Sequence, residues 1–169
     1  RMHVDADHCG DISRKSQSGH VAMLGPESNP NVIAYRSMRL PCVSLSSAES
    51  EYTSASYAAR QCMYIRRFFK EFCMRFKDPT PIFVDNQSCL VWLRDPAKLT
   101  TRKHVDIHRK HVESLQEEGE LEFKWVATSE QLADPLTKSS INISDFCKWR
   151  SKMMIDVVAD GLLKIKPVA

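Results

Sequence analysis

Three stretches near the N-terminus alternate apolar and polar residues: MHVDAD (2–7), GHVAMLG (19–25) and NVIAYRS (31–37). A period of two is the mark of a strand with one buried face, because successive side chains point to opposite sides of a sheet. The links CGDISRKSQS and GPESNPN are polar and carry Gly or Pro, and their shortness predicts an antiparallel meander. The period then changes. Ala48, Tyr52, Ala55, Ala59, Cys62, Phe69, Phe72 and Phe76 recur three, four or seven residues apart, one helical stripe reaching to about residue 76. Ser46 and Glu49 open that helix as a capping box. PTPIFVDNQS (79–88) reads as a strand ending at Asp85, QSCLVWLRD as a short helix, 101–118 as another helix and ELEFKWVA (120–127) as a strand. Residues from Ser129 through Lys138 read as a helical stretch that Pro135 kinks or restarts, and 143–165 as a last helix with a ragged end. The order βββαβααβα predicts a mixed sheet with helices packed on it.

Composition narrows the class without changing this plan. The 169 residues, 43% hydrophobic and 27% charged, suit one globular domain with a sizeable core. No apolar run approaches the roughly 18 residues of a membrane helix, and RMHVDADHCG lacks an apolar signal segment. The expectation is a soluble chain with no membrane partner, cut from a longer polypeptide because it begins on a strand. Six scattered cysteines with no C-x-x-C pair are expected to be reduced thiols, which points to the cytoplasm or nucleus. The net charge of +3 is small, but Lys and Arg cluster in 60–77 and 94–110. Each cluster reads equally as a solvated helix face or a phosphate-binding surface.

Four acids occupy telling positions: Asp5 in the first strand, Glu51 in the first turns of the long helix, Asp85 at the end of the fourth strand, and Asp134 in the 129–138 stretch. Strand ends and helix starts converge along one edge of a sheet. Carboxylates gathered there repel unless cations hold them, and oxygen ligands without His or Cys suit magnesium or manganese. Two such ions would serve phosphodiester hydrolysis.

DADHCGD (5–11), SQSGHVAMLG (16–25), SLSSAESEY (44–52), IFVDNQS (82–88), RKHVDI (102–107) and EQLADPLTK (130–138) resemble, in order, the blocks of the ribonuclease H domain of copia-type retrotransposon polyproteins. The resemblance covers about residues 3–140, and DFCKWRSKM is similar to that domain's trailing helix. It implies a ribonuclease H-like α/β fold: a mixed five-stranded sheet, its first three strands antiparallel, with helices on both faces. Residues 1–140 would form the domain and 141–169 a C-terminal helical extension. Asp5, Glu51, Asp85 and Asp134 are then the catalytic ligands of two Mg2+ ions, with Mn2+ as a substitute, and Glu49 is the capping acid. Alternation alone does not choose between Asp5 and Asp7, which share a strand face; the resemblance selects Asp5.

The implied activity is hydrolysis of the RNA strand of an RNA–DNA hybrid during reverse transcription, with a reverse transcriptase domain in the same polyprotein. Arg66, Arg67, Arg102, Lys103 and His104 are the candidate nucleic-acid contacts, and His104 has a second reading as a packing or loop-anchoring residue. His104, His108 and His111 fall at i, i+4 and i+7, which is also zinc-ligand spacing, but no cysteine or acid partner accompanies them. His8 and Cys9 depart from the aromatic and small residue usual after DAD, and 108–111 is irregular, which bears on substrate grip. The competing expectation is a catalytically silent scaffold or partner-binding domain that keeps the fold.

Overall fold

β1 (Met2–Asp7) is buried on both faces and not on one as its alternation predicts: Met2 and Val4 enter the core on one face, and His3 and Asp5 are buried on the other. A computed structural model describes residues 1–8, 14–26, 31–95 and 103–153, with only the backbone of 103–107. The remaining elements are β2 (Gln17–Leu24), β3 (Asn31–Arg39), α1 (Ser47–Glu71), β4 (Thr80–Val84), α2 (Gln87–Arg94), α3 (Lys103–Glu117), β5 (Leu121–Trp125) and α4 (Ile143–Met153).

Helix α1 begins as its sequence predicts. The Glu49 N–H donates to Ser46 Oγ at 3.2 Å, and the Glu49 carboxylate accepts from the Leu45 N–H at 2.9 Å, one residue before the cap itself. It ends five residues before the apolar stripe does. Cys73 turns left-handed at φ 59°, and the Cys73 and Met74 N–H groups close back on Lys70 and Phe69 carbonyls. Phe76, outside the helix, still meets Phe69 edge-on with ring centroids 5.6 Å apart, so the spacing continues through a turn that the helix does not.

The stretch 129–138 is not a helix. It forms two short 3-10 turns, Thr128–Glu130 and Asp134–Leu136. Pro135 has no N–H to donate into an α-helical ladder. Gln131, between the turns, spends its amide on the sheet, donating to Val4 O at 2.8 Å. The predicted last helix is seen as α4, and its expected continuation to 165 lies outside the described residues.

Strand order is β3-β2-β1-β4-β5, with β1, β2 and β3 antiparallel and β1, β4 and β5 parallel. One face carries the larger core, where Met2, Val4, Ile82, Val84 and Phe123 pack under Tyr52, Ala55 and Ala59 of α1, Leu93 of α2 and Val112 of α3. The opposite face has a smaller cluster in which Val21 and Met23 meet Leu132 and Trp149 of α4. Helices therefore lie on both faces, unequally. No helix among the described residues is long and apolar enough to cross a membrane.

His20 sits in β2 opposite Val4, 2% exposed, and neither ring nitrogen has a hydrogen-bond partner among the described residues. Burial first, then the Arg36 charge across the β2–β3 pair, pulls its pKa down to about 4 from 6.5. A folded-state pKa below the unfolded one means that the unfolded chain binds the proton more tightly. The stability that neutral His20 permits is therefore intact above pH 6.5 and drains away as pH falls toward 4. His20→Leu removes an unsatisfied buried ring and should stabilise the protein by about 1–2 kcal/mol at pH 7. In urea melts that advantage should widen by about 2 kcal/mol at pH 5. An advantage that does not change with pH would show that the ring is already solvated in the folded state.

Candidate metal centre

Parallel pairing of β1 with β4 runs Met2↔Ile82 and His3↔Phe83 and then stops. The same offset carried two residues further sets Asp5 beside Asp85, at the carboxyl ends of two strands that have parted. From β1 the chain turns back into β2 on one side, while β4 is flanked by β5 on the other. Such a divergence is where open α/β sheets leave a crevice. Gln131 fills its base, its amide donating to Val4 O at 2.8 Å and to Phe83 O at 3.4 Å, in place of the lost ladder bonds.

Helix α1 lies across β1 and brings Glu51 down onto this gap. One carboxylate oxygen from each of Asp5, Glu51 and Asp85 lies within 4.8 Å of the others, the only such group of three or more His, Cys, Asp or Glu among the described residues. Asp5 and Glu51 are buried, and Asp85 is half-buried just before Asn86, whose side chain caps α2 by accepting from Cys89 N–H at 2.9 Å. Asp7 shares the strand face of Asp5 but is exposed, two residues beyond the convergence.

The cost of this arrangement is visible in the pKa values. Burial, then the charges of Asp5 and Asp85, pushes Glu51 up to about 10, with a hydrogen bond from the Ala6 backbone partly offsetting them. Burial also raises Asp5, opposed by a 2.6 Å hydrogen bond donated by Thr137 Oγ1 to its Oδ2, while Asp85 and Asp134 add repulsion. Glu51 Oε2 has no hydrogen-bond partner among the described residues. An orphaned buried carboxylate oxygen, with two more hard oxygen donors beside it and no nitrogen or sulfur ligand, fits a hard divalent cation such as Mg2+ or Mn2+.

Asp134 does not complete a foursome. It opens the second 3-10 turn, close enough for its charge to act on Asp5, but its Oδ2 is held by Lys138 Nζ at 2.6 Å. Three acids converge, and the fourth is paired with a lysine four residues along. Its turn is pressed against β2. A Cβ built on Gly19, which pairs with Asp5, would lie 2.8 Å from Leu136 Cβ and 3.0 Å from Ala133 O. Glu49 plays no part in the group; its carboxylate faces the Leu45 N–H.

The two candidate contacts on α1, Arg66 and Arg67, are placed differently. Arg66 is committed to the fold: its guanidinium pairs with Glu120 at 2.6 Å, donates to Asp78 O at 3.1 Å and Thr80 Oγ1 at 2.9 Å, and lies over the Phe76 ring. It fastens the end of α1 to the starts of β4 and β5. Fifteen residues of helix separate it from Glu51, about 22 Å at 1.5 Å per residue. Arg66 is thus a structural arginine and not a free phosphate contact, and exposed Arg67 shares its end of the helix. Arg102 lies outside the described residues, as do the side chains of Lys103 and His104 at the start of α3. His108 Nδ1 meets Ser56 Oγ of α1 at 2.8 Å, which makes it a helix-packing residue. Gly19, Gln131, Thr137 and Lys138 escaped sequence reasoning. Thr137 and Lys138 follow Asp134 by three and four residues, a spacing that could have flagged them.

No protein-family model matches the chain. It is 28% identical over 137 residues to the retrovirus-related Pol polyprotein from transposon TNT 1-94 of Nicotiana tabacum, covering 80% of this chain and 10% of that one. It is 30% identical over 135 residues to the corresponding polyprotein from transposon RE1 of Arabidopsis thaliana, covering 79% of this chain and 9% of the relative. Transposon RE2 of the same plant gives 26% over 164 residues, 95% of this chain and 11% of the relative. The chain thus spans about a tenth of the length of these relatives. Among solved structures, the N-terminal RNase H domain of Rv2228c from Mycobacterium tuberculosis superposes with a TM-score of 0.59 at 12% identity, over 80% of this chain and 88% of that one. LC11-RNase H1, solved in complex with an RNA/DNA hybrid, gives 0.59 at 12% identity, over 83% and 94%. At that identity the likeness speaks to the fold. The chain has the ribonuclease H fold, and its sequence relatives are the retrovirus-related Pol polyproteins of copia-type plant transposons, of which it matches one segment.

Proposed function

We propose that this domain is a metal-dependent ribonuclease H that hydrolyses the RNA strand of an RNA–DNA hybrid during reverse transcription of its element. The observation that carries the reading is the Asp5–Glu51–Asp85 group, three carboxylate oxygens within 4.8 Å at the parted ends of β1 and β4. Polyprotein relatives and a fold neighbour solved with an RNA/DNA hybrid support it. Asp5, Glu51 and Asp85 hold two Mg2+ ions, or Mn2+ in their place, with Asp134 as the fourth ligand. When bound, such ions supply an activated water and neutralise charge at the scissile phosphate.

The residues of the chain do the remaining work in this reading. Thr137 fixes the orientation of the Asp5 carboxylate by donating to Oδ2. Gln131 keeps β1 and β4 apart at a set width. Glu51, whose Oε2 has no hydrogen-bond partner among the described residues, accepts a hydrogen bond from the substrate 2′-OH and so tells RNA from DNA. The hybrid is delivered by a reverse transcriptase portion of the same polypeptide. The setting is a reducing compartment, cytoplasm or nucleus, consistent with free thiols at Cys42, Cys62, Cys73, Cys89 and Cys147.

A silent, partner-binding domain is the second reading, and the existing Lys138–Asp134 ion pair is the observation in its favour. One assay separates the two. The protein is incubated with a hybrid labelled on each strand, with Mg2+, Mn2+ or a chelator. The nuclease reading expects fragments of the RNA strand alone, in metal alone, with single-stranded RNA spared. An uncut hybrid in both metals leaves the scaffold reading.

A further inference from the structure

Asp134 lies outside the group formed by the other three acids and is paired with a cation of the chain. Lys138 Nζ lies 2.6 Å from Asp134 Oδ2, with the lysine side chain 53% exposed and the carboxylate 16%. Thr137, between them in sequence, donates its hydroxyl proton to Asp5 Oδ2 at 2.6 Å, with the Asp134 carbonyl 2.8 Å from the same Oγ1. One short segment therefore grips an acid of the trio with a hydroxyl and the fourth acid with an ammonium.

We propose that Lys138 is a displaceable counter-ion that holds Asp134 out of the centre and sets how tightly divalent ions bind there. The inference rests on the metal-binding reading above and adds the control of ion affinity to it. Lysine suits such a role: its ammonium is a compact point charge on a flexible stem, with one contact here and no bidentate fork to break. Its own side chain is half open to water, so the ammonium can exchange the carboxylate for solvent. Its release has somewhere to go, because an open polar groove lined by Ser129, Ser140, Asn142, Asp145 and Lys148 adjoins the Asp134–Lys138 pair. While the ammonium stays, a divalent ion meets one positive charge too many and one carboxylate too few. Once it leaves, Asp134 is free to turn toward Asp5, whose electrostatics already register it.

The test is Mn2+ binding to the whole chain without nucleic acid, measured by titration calorimetry and by the loss of the free-ion paramagnetic resonance signal. Lys138→Gln, and Lys138→Met as a second neutral replacement, should tighten Mn2+ binding at least about tenfold, the scale of removing a unit charge roughly 6 Å from a divalent ion at the dielectric of bulk water. Lys152→Gln makes the same change in net charge, but Lys152 pairs with Glu130, which is not one of the four acids, so its effect should stay within about twofold. Parent-like affinity in both Lys138 variants overturns the inference while leaving the metal centre intact, provided Asp85→Asn weakens binding. Equal tightening by Lys152→Gln also overturns it, because net charge alone would then be the cause. If neither the parent nor the Lys138 variants bind Mn2+, the metal reading falls and takes this inference with it. Binding by the Lys138 variants alone is the strongest support.

Discussion

Asp85→Asn should lower Mg2+-dependent hybrid cleavage by at least about a thousandfold, roughly 4 kcal/mol of transition-state stabilisation, while leaving the fold in place. Asp85 follows the last residue of β4 and is half-buried, so an isosteric amide disturbs no packing. It does remove one of three converging donors, and an amide oxygen is a poorer ligand for a hard cation than a carboxylate. The metal-free protein should gain from the change, because the Asp85 charge is among the causes that raise both Asp5 and Glu51. Thermal melts then give a signature that a merely damaged protein would lack: a Tm equal to or above the parent without metal, and little further rise on adding Mg2+. Glu51→Gln should behave alike, with the larger metal-free gain since Glu51 is the more deeply buried acid. Retention of parental cleavage by Asp85→Asn would remove the carboxylate trio from the chemistry.

The second large effect comes from a residue with no side chain. In Gly19→Ala the new methyl would stand 2.8 Å from Leu136 Cβ, 3.0 Å from Ala133 O and 3.0 Å from Thr137 Cγ2. Two of these contacts are with atoms that no rotamer change can move, so the 133–137 segment must back away from β2. The overpacking should cost about 1–3 kcal/mol in urea melts. The larger effect is on catalysis. Thr137 positions Asp5, and Asp134 rides on the same segment, so a shift approaching 1 Å should lower cleavage about a hundredfold. Gly119→Ala is the matched control. Gly119 has φ 69°, so alanine there is strained, but nothing lies within 4 Å of the added Cβ. It should cost comparable stability, about 1 kcal/mol, and leave the cleavage rate of the folded protein unchanged. Equal activity losses in the two variants would mean that Gly19 matters only through stability.

Helix α1 shows how far local pattern carries. Its start was legible to the residue, because a cap is a local bargain between Ser46, Glu49 and the first free N–H groups. Its end was not, since Phe76 keeps the helical spacing while packing back on Phe69 from beyond a left-handed turn. The 129–138 stretch failed for a related reason. Its composition suits a helix, but Gln131 and Thr137 find better partners on β1 than a helix would offer them, and Pro135 does not contest the outcome.

Arg66 marks a different limit. As one of six cations in 60–77 it looked like part of a phosphate surface, yet its charge is consumed by Glu120 and the carbonyl and hydroxyl oxygens around it. Charge can be counted along a chain, whereas whether it is free depends on partners up to 54 residues away.

By itself, then, the sequence determined the order of the five strands and of the first three helices, the alternating faces of the strands, the capped start of α1 and the acids that stand at strand ends and helix starts, because each follows from periodicity and bonding within a few residues. Only the tertiary structure decided that β1 and β4 part after His3 and Phe83, that Asp5, Glu51 and Asp85 share the gap, and that Thr137 reaches Asp5. Those outcomes depend on strand register, on a glycine-width approach and on competition for each carboxylate between residues distant in sequence. Such competition is settled only once the sheet has brought the competitors together.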